Sequence, residues 1–423
     1  MQKEAFIKQV IAATSGTMLQ WYDFSLFGYL TPIIAKLYFP SQNQTLSLLY
    51  TFSLFAVSFI LAPLGSLFIG YISDNFGRKK ALTLSTTLMA IPTAMIGILP
   101  TYAQIGILAS IFLIICRLIQ GFVASAEFTG SAVFLIEHAK NKKPFLYGSL
   151  ISSSYSIGLL VGSILATITT MDVMPEYFWR LPFLLALAGG ILIFYMRKNI
   201  SETQDFLGIP QHEGKRKWFL NALINSPQAV IINILFGWFI GIITFGTYVF
   251  SVTYLTEYSH LKLSIAILIV SVSLLLDACL EPIIALFADK IGGLWISLMG
   301  ITGFLFLSYP LFHLLTTGDL TLIIVAMSSL SCLVAFTCAP IIALLVRLFP
   351  TEYRSSGFGV SFNFSIAVFG GTTPLVLTAL IYWTGNVNSP ALYFIFGSLI
   401  GLYAIKNIHA YESSLELKNV YDY

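Results

Sequence analysis

Residues 70–80 read Gly70-Tyr71-Ile72-Ser73-Asp74-Asn75-Phe76-Gly77-Arg78-Lys79-Lys80 and separate two long apolar runs. A related stretch, Ala285-Leu286-Phe287-Ala288-Asp289-Lys290-Ile291-Gly292-Gly293, closes another apolar run, with Asp289 standing 215 positions after Asp74. A second echo pairs Gly148 with Gly357, 209 positions apart. Both offsets are close to half of the 423 residues, so the chain reads as two copies of one unit. Parallel halves of this kind place a ligand site at their interface near the bilayer midplane.

Outward from these stretches, apolar runs cover 9–38, 46–73, 79–99, 104–138, 145–169, 178–197, 226–257, 262–288, 294–316, 320–348, 355–384 and 389–408. A membrane-spanning helix uses about 20 apolar residues. Several runs are longer, which predicts tilted or kinked helices. β-Barrel strands would read as short alternating segments, and these runs are continuous. Composition agrees: 57% of residues are hydrophobic, 15% aromatic and only 10% charged, and the mean hydropathy is +0.85. A soluble domain carries about 25% charged residues. The predicted fold class is therefore an all-α polytopic membrane protein with twelve transmembrane helices in two pseudo-symmetric six-helix bundles. Secreted domains, nucleic-acid binders and disulfide scaffolds are excluded. Cys116, Cys279, Cys332 and Cys338 lie inside apolar runs without metal-like spacing and read as packing residues.

The first run follows Lys3 and Lys8 but passes through Trp21-Tyr22-Asp23-Phe24 with no small-residue cleavage site, so it is expected to remain as a span. Of the 22 Lys and Arg, 18 fall on one side of the twelve spans; the others are Lys36, Arg117, Arg180 and Lys262. The positive-inside rule then puts both termini and the long polar connection in the cytoplasm. The expected divisions are an N-terminal bundle over 1–197, a linker over 198–225, a C-terminal bundle over 226–409 and a cytoplasmic tail over 410–423. Charges at Lys198, Glu202, Asp205, Glu213, Lys215, Arg216 and Lys217, with Gly208, Pro210 and Gly214, mark the linker. A short surface helix after Ser201 is expected within it.

These residues resemble the major facilitator superfamily, and within it the metabolite:proton symporters of proline/betaine, α-ketoglutarate, shikimate and citrate. Gly70-x3-Asp74-x2-Gly77-Arg78-Lys79-Lys80 is similar to the superfamily's loop signature, and Arg117-Leu118-Ile119-Gln120-Gly121 to its span 4 signature. Closer to the subfamily are Trp21-Tyr22-Asp23-Phe24, Glu127-Phe128-Thr129-Gly130, Trp179-Arg180-Leu181-Pro182-Phe183, Leu348-Phe349-Pro350-Thr351 with Arg354-x2-Gly357, and Phe369-Gly370-Gly371-Thr372-x-Pro374. Gln20 and Arg347 stand where the family usually or often has Glu, and Gly293 where Arg is expected. Ser156-Ile157-Gly158-Leu159-Leu160-Val161-Gly162 lacks the proline-containing motif of many antiporters, which tilts the reading toward symport.

Charges inside spans are costly and are functional candidates by default. Asp23 lies about 21 Å into span 1 and Arg117 at similar depth in span 4 at 1.5 Å per residue, so an ion pair between them is expected, either substrate-linked or purely structural. Glu127, about 15 Å nearer the cytoplasm, resembles the family's span 4 acid. It is the first choice for proton coupling and Asp23 the second; the alternative is a static polar network with Thr129 and Ser131. Asp277 and Glu281 share one face of span 8, lining either a central cavity or a hydrated inner vestibule. Substrate contacts are expected from Arg117, Asp23, Trp21, Tyr22, Tyr155, Asp277, Glu281 and Asn363. Phe24, Trp238, Tyr248 and Phe364 are further aromatic candidates, and Ser152, Ser154, Ser156 and Thr372 further polar ones. Four buried acids against the single buried Arg117 favour a zwitterionic solute over a dicarboxylate, since an Arg clamps one carboxylate bidentately. Asp74, Arg78, Glu137 and Arg354 are assigned to gating: Asp74 accepts from amides at the start of span 11 near Ser355 and Ser356, and Arg78 pairs with Glu137.

The leading expectation is a proton-coupled symporter importing a small polar metabolite, a zwitterionic osmolyte or an organic acid, by alternating access. A proton-driven exporter would use the same acids, and a non-transporting receptor is the remote alternative. The five His are scattered and neither HExxH nor a nucleophile elbow occurs, so no enzyme is expected. No cofactor beyond the coupling proton, no metal and no nucleic-acid partner are expected; the partners are the solute, the proton and the bilayer. The setting is a multi-pass monomer in a bacterial inner membrane.

Overall fold

The computed structural model describes residues 2–40, 44–139, 143–171, 173–208 and 219–421. Lys140, Lys142, Pro210, Glu213, Gly214, Lys215, Arg216 and Lys217 of the sequence reading lie outside the described residues, as do the side chains of Lys3 and Lys418. The chain forms two compact units, Met1–His138 with Ser154–Trp218, and Ala139–Ser153 with Phe219–Tyr423.

The first unit contains α1 (Gln2–Tyr29), α2 (Thr31–Tyr38), α3 (Gln44–Phe76), α4 (Arg78–Ile98), the short α5 (Tyr102–Ile105), α6 (Ile107–Ala139), most of α7 (Pro144–Thr169), α8 (Leu181–Lys198) and a one-turn α9 (Gln204–Leu207). The second contains α10 (Phe219–Asn225), α11 (Pro227–Thr244), α12 (Ser251–Glu257), α13 (Leu263–Ile291), α14 (Gly293–Leu315), α15 (Leu320–Arg347), α16 (Arg354–Ser365), α17 (Thr373–Thr384) and α18 (Pro390–Tyr421). Ten helices among the described residues are long and apolar enough to cross a membrane, and α1 and α3, of 28 and 33 residues, complete the twelve spans. In lipid only a helix satisfies every backbone amide within its own segment.

The two stretches that defined the duplication take the same local form. Gly77 (φ 109°, ψ 149°) and Gly292 (φ 103°, ψ 132°) each end one helix and start the next with a single residue between them. A Cβ disfavours such positive φ values, so glycine is required at both. Some of the long runs are broken, whereas 46–73 and 320–348 form the single helices α3 and α15. The first run splits at Leu30, between α1 and α2. Turns of π-helix, Phe245–Phe250 and Ile366–Gly370, interrupt the runs 226–257 and 355–384. Helix α18 continues through the expected tail as far as Tyr421, and the short helix expected after Ser201 is α9.

Close helix approach uses glycine where a side chain would collide. A Cβ at Gly65 on α3 would overlap the Phe122 carbonyl of α6, and one at Gly241 on α11 would come within 2.7 Å of the Gly370 backbone. Between lipid-embedded helices, van der Waals packing of this kind replaces much of the hydrophobic driving force available in water.

Candidate functional site

Asp23 on α1 faces Arg117 and Gln120 on α6, and the three are 1–2% exposed. Residues 117 and 120 share a helix face because they are three apart. Arg117 Nη1 donates to Asp23 Oδ2 and to Gln120 Oε1, both at 3.1 Å. Gln120 Nε2 donates to Asp23 Oδ1 at 2.7 Å and to Thr93 Oγ1 of α4 at 2.8 Å. The guanidinium carbon lies 4.1 Å from the centre of the Phe27 ring. In sequence Gln120 stands only as part of the span 4 signature and Thr93 carries no signal; for Gln120 the three-residue spacing from Arg117 was the available signal. Nearby on α1, Gln20 Oε1 and Trp21 Nε1 are buried and have no hydrogen-bond partner among the described residues. The Trp21 ring meets Tyr155 edge-on at 4.4 Å. The Tyr22 hydroxyl is already engaged, donating to the Pro182 carbonyl of α8 at 2.7 Å.

Glu127, ten residues along α6, pairs with Arg197, which is wholly buried at the end of α8. Arg197 Nη1 donates to Glu127 Oε2 at 3.0 Å and Nη2 to its other oxygen. The same guanidinium donates to the carbonyls of Ala12 (2.9 Å) and Leu82 (2.6 Å), and to Thr86 and Ser131. Ser85 donates to Glu127 Oε2, and Ser131 donates to Oε1 at 3.5 Å. Thr129 takes no part: its hydroxyl donates to the Ser125 carbonyl.

This changes the buried-charge balance expected from sequence. Arg197 was counted among topology-setting loop charges, although it closes the apolar run 178–197 and that position was the clue. With Arg117 opposite Asp23 and Arg197 opposite Glu127, the membrane-embedded charges of the first unit cancel, so the excess of acids does not by itself select a zwitterion. A lone buried charge would cost several kcal/mol, and such pairs persist because each partner needs the other.

Where α3 meets α4, Arg78 is 1% exposed and donates to Asp74 Oδ1 at 2.8 Å, to the Ser73 carbonyl at 2.9 Å and to both oxygens of Glu137 at 3.1 and 3.3 Å. The structure thus brings together Asp74, Arg78 and Glu137. Linker residues missed in sequence complete the cluster. Glu202 accepts from the backbone amides of Arg78 (3.1 Å) and Lys79 (3.2 Å), supplying the cap that Gly77 lacks. Thr203 donates to Glu137 at 2.6 Å, and the Arg78 guanidinium lies 5.3 Å from the centre of the Phe206 ring. Only tertiary structure can reveal a cap supplied from 124 residues away.

In the second unit Asp277 and Glu281 on α13 are both buried, and the Ser153 hydroxyl of the first turns of α7 donates to Glu281 at 3.3 Å. Pro282 follows Glu281 within the helix, so the Ala278 carbonyl receives no helical amide at that step. Asp289 accepts from the amides of Phe145 (3.0 Å) and Leu146 (3.1 Å) at the start of α7, where the helix dipole favours an anion. The side-chain amide of Asn363 donates to the Gly359 carbonyl at 2.8 Å, and Arg354 Nε to the Phe349 carbonyl at 3.0 Å. Trp238 stacks on Phe369 with ring centres 4.0 Å apart, Tyr248 shares a hydrogen bond with Ser331 at 3.1 Å, and Phe364 is 42% exposed.

Twelve helical spans in two units, with ion pairs buried at span depth and a loop signature repeated in each half, define a polytopic membrane transporter rather than an enzyme. The chain belongs to the Major Facilitator Superfamily, whose family model matches residues 13–374. Among curated proteins it is 30% identical to an ectoine/proline transporter of Corynebacterium glutamicum, over 91% of this chain and 80% of that one. It is 29% identical to a proline/betaine transporter of Salmonella typhimurium, over 93% and 82%. Among solved structures, a proton:xylose symporter bound to 6-bromo-6-deoxy-D-glucose superposes with a TM-score of 0.78 at 14% identity, covering 96% of this chain and 95% of that one. The human organic anion transporter MFSD10 gives 0.68 at 15% identity, covering 95% and 99%. Both confirm the fold.

Proposed function

We propose that this transporter is a proton-coupled symporter that imports a small zwitterionic solute of the osmolyte or amino-acid kind by alternating access. The observation that carries the reading is the Asp23–Arg117–Gln120–Thr93 cluster. With Asp23 ionised, one guanidinium nitrogen of Arg117 is committed to it at 3.1 Å. A proton taken by Asp23 removes its charge and frees that nitrogen to bind a substrate carboxylate, which restores the charge balance. Proton and carboxylate then bind together, the requirement for symport. Gln20 and Trp21, buried with polar atoms that have no partner among the described residues, are suited to recognise the remainder of the solute, and the Trp21 face offers cation–π contact to an ammonium group. The names carried by the relatives, proline, betaine and ectoine, support a solute of this type.

Glu127 remains the other candidate proton carrier. Protonating it requires Arg197 to find another acceptor, and the carbonyls of Ala12 and Leu82 already bound to that guanidinium provide one. Asp277, Glu281 and Asn363 are proposed to contribute from the second half. Asp74, Arg78, Glu137 and Arg354 are proposed to gate the inner side. The protein is proposed to work as a monomer in a bacterial cell membrane, termini inside, with the proton as its only coupling species.

Purified protein in proteoliposomes tests the reading. Labelled proline or glycine betaine should accumulate when the outside is acidic, and only then. Accumulation driven by an acidic interior would replace symport by antiport, and flux indifferent to either gradient would remove proton coupling.

A further inference from the structure

Beside the Gly292 break, α13, α14, α15 and α18 enclose a groove of about 700 Å³ in the second unit. Three of its lining residues are basic, Arg347 at the end of α15 with Lys406 and His409 on α18, and none of the described lining residues is acidic. Gly293 and Trp295 of the first turn of α14 form another wall, and that turn has no side-chain cap. Phe145 completes it from the first turn of α7; a Cβ at Gly293 would come within 2.6 Å of that ring. The absence of a side chain at position 293, where the superfamily signature places an Arg, therefore shapes the groove. Its rim is apolar and open, with Trp295 67% and Ile291 59% exposed.

Cations beside apolar surface at the end of a span match the chemistry of a lipid headgroup rather than that of a soluble solute. Tryptophan favours the headgroup level, and basic pockets between helices on the cytoplasmic side attract anionic lipids. Lys406 and His409 are three apart, so they share a helix face. We propose that this groove binds the phosphodiester headgroup of an anionic membrane phospholipid, with Arg347, Lys406 and His409 meeting the phosphate and Trp295 lying along the acyl-chain side. The site is independent of the proton and solute residues of the first unit, so it stands or falls separately from the symport reading.

The test places the full-length protein in phosphatidylcholine nanodiscs and titrates in brominated phosphatidylglycerol, with brominated phosphatidylcholine at matched bromine content as reference. The Trp295 signal is the difference in emission between the wild type and Trp295→Phe. Phosphatidylglycerol should quench it at a lower mole fraction than phosphatidylcholine does. Removing Arg347 or Lys406 should weaken that preference about fivefold, the contribution of one Lys or Arg near an anionic surface. Arg347→Gln/Lys406→Gln should therefore nearly abolish it, and Lys262→Gln at the far end of α13 should leave it intact. If Arg347→Gln fails to fold, Lys406→Gln and His409→Gln, both exposed, carry the test alone. Equal quenching by the two lipids, or a preference that survives loss of Lys406, overturns the proposal. So does a Trp295 response to inorganic phosphate in neutral detergent that matches the lipid response, which would make the groove a soluble-anion site.

Discussion

Replacing Arg197 by Gln puts the buried ion pair of the first unit to its sharpest test. The wild-type guanidinium serves both Glu127 oxygens and the carbonyls of Ala12 and Leu82, all away from solvent. Its removal leaves a carboxylate that is 1% exposed without its countercharge, which costs about 3–5 kcal/mol. Glu127→Gln leaves the guanidinium buried instead, but the amide oxygen and the two carbonyls still accept from it, so the loss is expected near about 3 kcal/mol. If the pair acts as a unit, the double variant is no worse than Arg197→Gln alone, and the double-mutant cycle returns a coupling at least as large as the Glu127→Gln loss, about 3 kcal/mol or more. The assay is reversible unfolding in mixed micelles, titrated with dodecyl sulfate and followed by helical circular dichroism for all four proteins. Additivity of the two single losses to within about 0.5 kcal/mol would refute the reasoning, because it would mean that neither charge depends on the other.

Transport separates the two acids. Asp23→Asn should abolish gradient-driven accumulation yet retain solute exchange, with exchange no longer varying with pH; wild-type accumulation by this variant would remove Asp23 from coupling. Glu127→Gln is expected to lose accumulation as well, and a variant that accumulates normally would leave Glu127 a purely structural partner of Arg197. Glu202→Ala should cost about 1 kcal/mol and speed hydrogen exchange at the amides of Arg78 and Lys79; unchanged exchange there would mean that the linker does not cap α4. Gly65→Ala forces a methyl into the Phe122 carbonyl and should destabilise the protein by about 1–3 kcal/mol, seen as a lower unfolding midpoint, whereas an unchanged midpoint would show that α3 and α6 are not in close contact.

The sequence determined the class, the number of spans and the duplication, for physical reasons that act locally. Apolar length fixes spanning helices, and the glycines at 77 and 292 fix the turns between them, because only a residue without a Cβ enters that backbone region freely. The Asp23–Arg117 and Arg78–Glu137 pairings were also legible, since depth along a helix is simply residue count multiplied by rise. What only the tertiary structure decided is which side chains share a buried site when their helices are remote in sequence. Arg197 reads as one more positive residue at the end of a span, and Glu202 as one more charge in a polar linker. Each finds its role 70 residues or more away, with Glu127 and with the first amides of α4. Hydropathy reports how far a residue lies along its own helix but not the rotation of that helix about its axis. The rotation is set by packing, and it decides whether a charge meets lipid, water or its opposite.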